Sequence, residues 1–186
     1  MYSFLKVIFK IFFTIFIPYK VEGLENIPSD KGILLVGNHK SKYDCLLLAT
    51  VIKRKVHYIA KKELLEGKSK WFFKKLYLIP VDRKNHNNKE SLNKAIECLT
   101  SGEVVAIFPE GTFNKTEYII KPFKMGACYL ADKSDCPIIP FAIKNDYKWF
   151  RKSVTIKFGK PYYIKDKTDL RKENITLMNK VITLLK

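Results

Sequence analysis

Acidic residues are scarce in this sequence: 18 Asp and Glu stand against 35 Lys and Arg in 186 residues, a formal net charge of +17. Such a surplus favours anionic partners such as phosphate esters, anionic lipid or nucleic acid, without choosing among them. Glycine and proline are also few, 8 each. With no Gly/Ser linker, low-complexity tract or internal repeat, one globular unit is expected. Hydrophobic residues at 47% and aromatics at 13% suffice for a full core. The four cysteines, Cys45, Cys98, Cys128 and Cys136, show neither CxxC pairing nor the rhythm of metal ligands. Buried thiols in a reducing compartment follow, not a disulfide scaffold. No Gly-rich phosphate loop, Rossmann fingerprint or zinc spacing is present, so neither a metal nor a nucleotide cofactor is implied.

One long apolar run stands at the start, MYSFLKVIFKIFFTIFI, residues 1–17. It lacks the small-residue cleavage site of a signal peptide, and Lys6 and Lys10 lie inside the run instead of ahead of it. As a helix it would rise roughly 25 Å against a bilayer core of about 30 Å, with a mid-helix lysine costing about 3 kcal/mol, so spanning is disfavoured. Ser3, Lys6, Lys10 and Thr14 recur at +3, +4, +4 and share one stripe of a helix whose other faces are Phe, Ile, Leu and Val. A helix lying in the membrane interface fits that stripe, its lysines reaching toward headgroups; a helix buried in the core is the alternative. The expected division is an amphipathic, membrane-interfacial helix at 1–18 and a body at 19–186. The protein would then be peripheral or monotopic, on the cytoplasmic face of the cell membrane.

From Pro18 onward short apolar runs alternate with helical patterns, the rhythm of an α/β layer fold with a mixed, largely parallel sheet flanked by helices. Strands are predicted at 19–22, 33–37, 56–60, 77–81, 104–108, 137–143 and 153–158, and helices at 44–53, 88–100, 123–133 and 169–185. In the second helix Leu92, Ala95, Ile96 and Leu99 recur at i, i+3, i+4, i+7, and Ser101-Gly102 stops it. The polar tract DRKNHNNKE, 82–90, reads as a solvated loop.

The apolar run Ile33-Leu34-Leu35-Val36 ends abruptly in GNHKSKYDCLL, 37–47. Either this is an ordinary polar loop, or it sets a base, His39, beside an orienting carboxylate, Asp44. Ser41-x-x-Asp44 resembles a capping box, which would start a helix at Ser41 and hold Asp44 in its first turn. Open α/β sheets place their sites at the carboxyl ends of strands, where His39 would lie. FPEGTF, 108–113, follows another apolar run and brings Glu110 and Thr112 to the same end, provided the two strands are parallel. FKMGACYLA, 123–131, opens a helix with Lys124 and the small Gly126 and Ala127, which close ligand approach and ordinary packing explain equally. CPIIPFAI, 136–143, is a buried, proline-bracketed strand with a structural role. His57 and His86 lack an acid at the spacing of His39 and Asp44 and read as structural or solvated.

Taken in order, N-H-x-x-x-x-D ending at Asp44, K-x-E-L from Lys61 to Leu64, LIPVDR ending at Arg83, FPEGT, FK-x-GA and PIIP resemble the lysophosphatidic acid acyltransferases, the 1-acylglycerol-3-phosphate acyltransferase family. The resemblance implies an acyltransferase domain at 19–186 resting on an anionic membrane surface. It implies transfer of a fatty acyl chain from a thioester of coenzyme A or acyl carrier protein to the free hydroxyl of lysophosphatidic acid, giving phosphatidic acid. Acyl-CoA or acyl-ACP would be the co-substrate, with no further cofactor. By the same resemblance His39 and Asp44 match the catalytic pair, Arg83 a phosphate-binding position, and Glu110, Gly111 and Thr112 part of the acceptor site; Lys61 and Lys124 join them as substrate-binding positions. One residue departs from the family: its usual Arg after Glu-Gly-Thr is Phe113 here. A guanidinium grips phosphate through two parallel hydrogen bonds, and a phenyl ring does not. Either Arg83, Lys115 or Lys124 carries that contact, or the acceptor is a different lysolipid.

Esterifying an alcohol with a thioester requires a base as the oxygen attacks, and imidazole suits that task near neutrality. Asp44 would fix the tautomer and stabilise the imidazolium. Ser41 and Cys45 then have no required role, although a ping-pong route through either stays open. N–H groups of the helix opening near Ser41 are the expected oxyanion donors. The other readings are thioester hydrolysis and a non-catalytic basic protein held to membrane or nucleic acid by counterion release; the enzyme reading takes no nucleic acid as partner.

Overall fold

The run Ile33-Leu34-Leu35-Val36 is apolar at every position because the strand it forms is covered on both faces. In the computed structural model, which describes residues 2–66, 70–82 and 88–186, this strand is β2 (Ile33–Gly37). Its companions are β1 (Tyr19–Glu22), β3 (Val56–Lys61), β4 (Leu78–Val81), β5 (Val104–Ile107), β6 (Ile138–Lys144) and β7 (Val154–Phe158). They form one sheet in the order β1-β7-β6-β2-β5-β3-β4. Every neighbouring pair is parallel except β6 with β7, so the sheet is mixed and largely parallel, as the sequence rhythm implied.

Side chains of a strand alternate between faces, and the two faces collect different helices. Ile33, Leu35, Val104 and Ala106 pack with α1 (Tyr2–Phe16) and α2 (Tyr43–Val51). Leu34, Val36 and Val105 pack with α4 (Lys89–Thr100), α5 (Gly126–Ser134) and α6 (Leu170–Leu185). The expected helix over 123–133 begins at Gly126 instead, because Lys124 donates its backbone N–H to Pro109 O at 2.9 Å and ties that residue to the turn after β5. The short α3 (Lys70–Lys74) was not expected; five residues show no amphipathic period. Gly102 takes φ +81 after α4, the stop that Ser101-Gly102 announced.

The N-terminal helix buries one stripe of its side chains in the core and leaves another exposed. Phe9, Phe13 and Ile17, at i, i+4, i+8, are buried in the cluster that holds β2 and β5. Phe4, Val7, Ile8, Ile11 and Ile15 remain exposed, between 44% and 66%. Lys6 does not reach outward: its Nζ donates to the carbonyls of Ile52 and Lys53 just past the end of α2, where helix carbonyls lack partners. This corrects the expectation that both lysines point to headgroups; Lys10 alone of the two is exposed. Among the described residues no helix is long and apolar enough to cross a membrane.

Candidate active site

Because β2 and β5 are parallel, with Val36 opposite Ile107, the loops that follow them leave the sheet at the same end. Asn38, 2% exposed, completes the strand end with its side chain, accepting the Ile143 N–H at 2.8 Å and donating to Ile143 O at 3.1 Å. A side-chain amide thus replaces the backbone ladder where β2 turns away from β6. The next residue, His39, is fixed on three sides. Its N–H donates to Glu110 Oε1 at 2.7 Å and its carbonyl accepts from Asn114 N at 2.7 Å. Its ring lies against Phe108, centroids 4.0 Å apart at 18°, and Phe113, 4.4 Å apart at 52°.

Asp44 is fully buried, and each of its oxygens is occupied. Oδ2 accepts from His39 Nδ1 at 2.8 Å, Lys40 N at 2.7 Å and Ser41 N at 2.9 Å. Oδ1 accepts the Tyr147 hydroxyl at 2.7 Å. The bond to Ser41 N is half of the expected capping box, but the helix begins at Tyr43 and the Ser41 hydroxyl accepts from Tyr43 N at 3.3 Å. A carboxylate at Nδ1 keeps the proton there and leaves the lone pair on Nε2. That nitrogen has no protein partner among the described residues, and the His39 side chain is 15% exposed. The ring is therefore set to accept a proton from outside.

An acyltransferase family model matches residues 18–144. A 1-acyl-sn-glycerol-3-phosphate acyltransferase of Bacillus subtilis (strain 168) is 32% identical over 172 residues, covering 88% of this chain and 83% of that protein. This chain belongs to the 1-acyl-sn-glycerol-3-phosphate acyltransferase family. The alpha enzyme of that name from Mus musculus is 32% identical over 148 residues, 76% of this chain and 50% of the relative. The crystal structure of the 1-acyl-sn-glycerophosphate (LPA) acyltransferase PlsC from Thermotoga maritima superposes with a TM-score of 0.77 at 25% identity, covering 99% of this chain and 78% of that one. The family resemblance of the ordered motifs is borne out. The matched span holds His39, Asp44, Glu110 and Lys124 but ends before Tyr147.

The other acyltransferase positions fall unevenly. Glu110 is 4% exposed, and its second oxygen accepts Lys121 N at 2.8 Å, so both oxygens brace backbone: one the His39 loop, the other residue 121. Burial raises its pKa above the ordinary value, against the lowering effect of those two N–H groups. Gly111 has φ +72, and a Cβ there would lie 3.0 Å from Lys124 Cε and 3.2 Å from its Nζ; glycine gives the lysine its place. Thr112 and Lys124 are exposed beside it, and Lys61 is exposed at the carboxyl end of β3. Arg83 lies outside the described residues, as does His86. The expected oxyanion donors are corrected: the N–H groups of Lys40 and Ser41 are taken by Asp44, and that of Tyr43 by Ser41. Sequence reasoning missed Tyr147 and the pairing made by Asn38. No local signal marks Tyr147, which lies 103 residues from its partner.

Cys45 is ill suited to a ping-pong route, because burial, then the adjacent Asp44 charge, pushes its thiol up to about 12. His57, Cys98 and Glu103 gather at the opposite, amino-terminal ends of β3 and β5, with donor atoms within 4.8 Å of one another, close enough to meet on a metal ion. Glu103 is instead engaged by Lys55 Nζ at 2.7 Å and His57 Nε2 at 2.9 Å, and burial pushes the Cys98 thiol up to about 11. Lys55 and Glu103 form an ion pair there, and burial lowers the His57 pKa, which favours its neutral ring beside them.

Proposed function

We propose that this chain moves a fatty acyl chain from a thioester of coenzyme A or acyl carrier protein to the free hydroxyl of lysophosphatidic acid, giving phosphatidic acid. The observation that carries the reading is the His39 Nδ1 to Asp44 Oδ2 bond of 2.8 Å, with Nε2 left to face a substrate. In the reaction the acceptor oxygen attacks the thioester carbonyl as its proton passes to His39 Nε2. Asp44 offsets the imidazolium charge, and the tetrahedral adduct expels the thiolate, which takes the proton back. Tyr147 holds the second Asp44 oxygen, so the carboxylate cannot rotate away from the ring. Glu110 is a positioning residue that fixes the His39 backbone. Lys124, lying over Gly111, is the cation that receives the acceptor phosphate together with Arg83, and Thr112 and Lys61 line the approach.

The protein works as a peripheral enzyme on the cytoplasmic face of an anionic membrane, the exposed apolar face of α1 lying in the interface as the first unit, 1–18, and the acyltransferase domain, 19–186, resting on it. A net charge of +17 suits both an anionic surface and phosphate-bearing carriers. A second reading changes only the acceptor: Phe113 lies tilted against the His39 ring where the family resemblance leads one to expect an arginine, so a lysolipid with a different headgroup is the alternative. Purified protein given radiolabelled acyl thioester and a panel of lysolipids decides between them. Phosphatidic acid as the fastest-formed product is expected, and phosphatidic acid ranking last refutes the reading.

A further inference from the structure

We propose that the segment between β6 and β7 is a second membrane-docking element, which places Trp149 and Phe150 in the bilayer beside α1 and lays Lys148, Arg151 and Lys152 on anionic headgroups. This rests on the placement of α1 in the interface given above and adds a segment that lies past the end of the family model at residue 144.

Trp149 is 53% exposed and Phe150 70%, and the three basic residues around them are exposed as well. The rings are not left out by a loose loop. Phe150 holds φ +56, a conformation that L side chains rarely adopt, and its N–H donates to Phe16 O at 2.7 Å. The Trp149 ring lies 5.9 Å from Phe12 and 6.1 Å from Phe16, and the Phe150 ring lies 5.7 Å from Phe16. Behind them, the Ser153 hydroxyl donates to Asp146 O at 2.7 Å and accepts from Lys148 N at 3.1 Å, while Asn145 Nδ2 donates to Ser153 O at 3.1 Å. A closed, bonded finger therefore sets its two rings on Phe12 and Phe16 toward the carboxyl end of α1 and leaves them exposed beside the helix.

Large aromatics ringed by cations match the layering of a bilayer surface, where rings sit below the headgroups and ammonium or guanidinium groups at phosphate level. The same ring of cations argues against a second copy as the occupant, because two such faces would bring Lys148, Arg151 and Lys152 against their own kind. Two contacts, α1 and the finger, would fix the tilt of the protein on the membrane. The finger also carries Tyr147, so the docked surface and the Asp44 hydrogen bond belong to one short segment.

The chain has two tryptophans, and Trp71→Phe leaves Trp149 as sole reporter. Full-length Trp71→Phe protein is mixed with vesicles of equimolar phosphatidylcholine and phosphatidylglycerol, with and without bromine on the acyl chains. A blue shift and bromine quenching of Trp149 are expected. A parallel reporter for α1, Ile8→Trp in a Trp71→Phe/Trp149→Phe background, separates the two readings. Quenching at residue 8 without quenching at 149 overturns the finger and keeps the α1 placement; quenching at neither overturns both. A Trp149→Ala/Phe150→Ala variant should bind these vesicles on the order of tenfold more weakly, while its acyl transfer to a detergent-dispersed acceptor stays at the parent rate. Unchanged vesicle binding, or a blue shift of Trp149 that follows protein concentration in the absence of lipid, would overturn the proposal, the latter in favour of self-association.

Discussion

Replacing Asp44 by asparagine keeps the size of a fully buried side chain and removes one charge, which makes its two effects separable. Three donors, His39 Nδ1, Lys40 N and Ser41 N, converge on Oδ2, so the amide must place its carbonyl oxygen there. The NH2 then meets Tyr147 Oη, whose hydroxyl turns and accepts it. Every polar atom keeps a partner, and the fold should survive. Hydrogen bonds to a charged group contribute about 1.5–3 kcal/mol and neutral ones about 1, so the four bonds together should lose at least about 2 kcal/mol in a urea melt. Turnover should fall further. A neutral amide no longer offsets the imidazolium that forms when His39 takes the proton, which raises the barrier by about 4 kcal/mol, on the order of a 10³-fold loss in kcat. The assay is the initial rate of radiolabelled product from acyl thioester and lysophosphatidic acid, with circular dichroism to verify folding. A folded Asp44→Asn protein within about threefold of the parent kcat would refute the base-and-carboxylate mechanism.

His39→Ala should lose about 10²–10⁴ in kcat with the fold retained, and combining it with Asp44→Asn should add little, because the two act as one unit; a double-mutant cycle of rates checks this. Tyr147→Phe strips the donor from Asp44 Oδ1 and should destabilise by about 1–3 kcal/mol in chemical denaturation while lowering kcat more than it raises KM. Gly111→Ala forces a side chain onto φ +72 and against Lys124, costing about 1–2 kcal/mol and raising KM for the acceptor; an unchanged KM would detach Lys124 from phosphate binding. Burial raises the Glu110 pKa in the folded protein, so its contribution to stability is present below the unfolded value near 4.5 and is lost as pH rises through the folded value. The stability advantage of the parent over Glu110→Gln should accordingly grow as pH falls, and a difference constant with pH in urea titrations would contradict that sign.

The sequence by itself determined the layers and the reaction chemistry. The central strands β2 and β6 read as continuous apolar runs because both their faces are covered, while β7 alternates buried and half-buried residues, and such patterns are local. The pairing of His39 with Asp44 was legible for the same reason: a spacing of five spans one turn from a strand end into a helix start. The family followed from motifs in order. Tertiary structure alone decided what completes the site. Tyr147 reaches Asp44 across 103 residues, Asn38 reaches Ile143 across 105, and Phe113 lies on the His39 ring. It also turned Lys6 inward to the end of α2 and occupied the N–H groups expected to serve an oxyanion. Such contacts depend on which strands become neighbours, and strand order is set by burial of the whole sheet at once, so no short stretch of residues carries it.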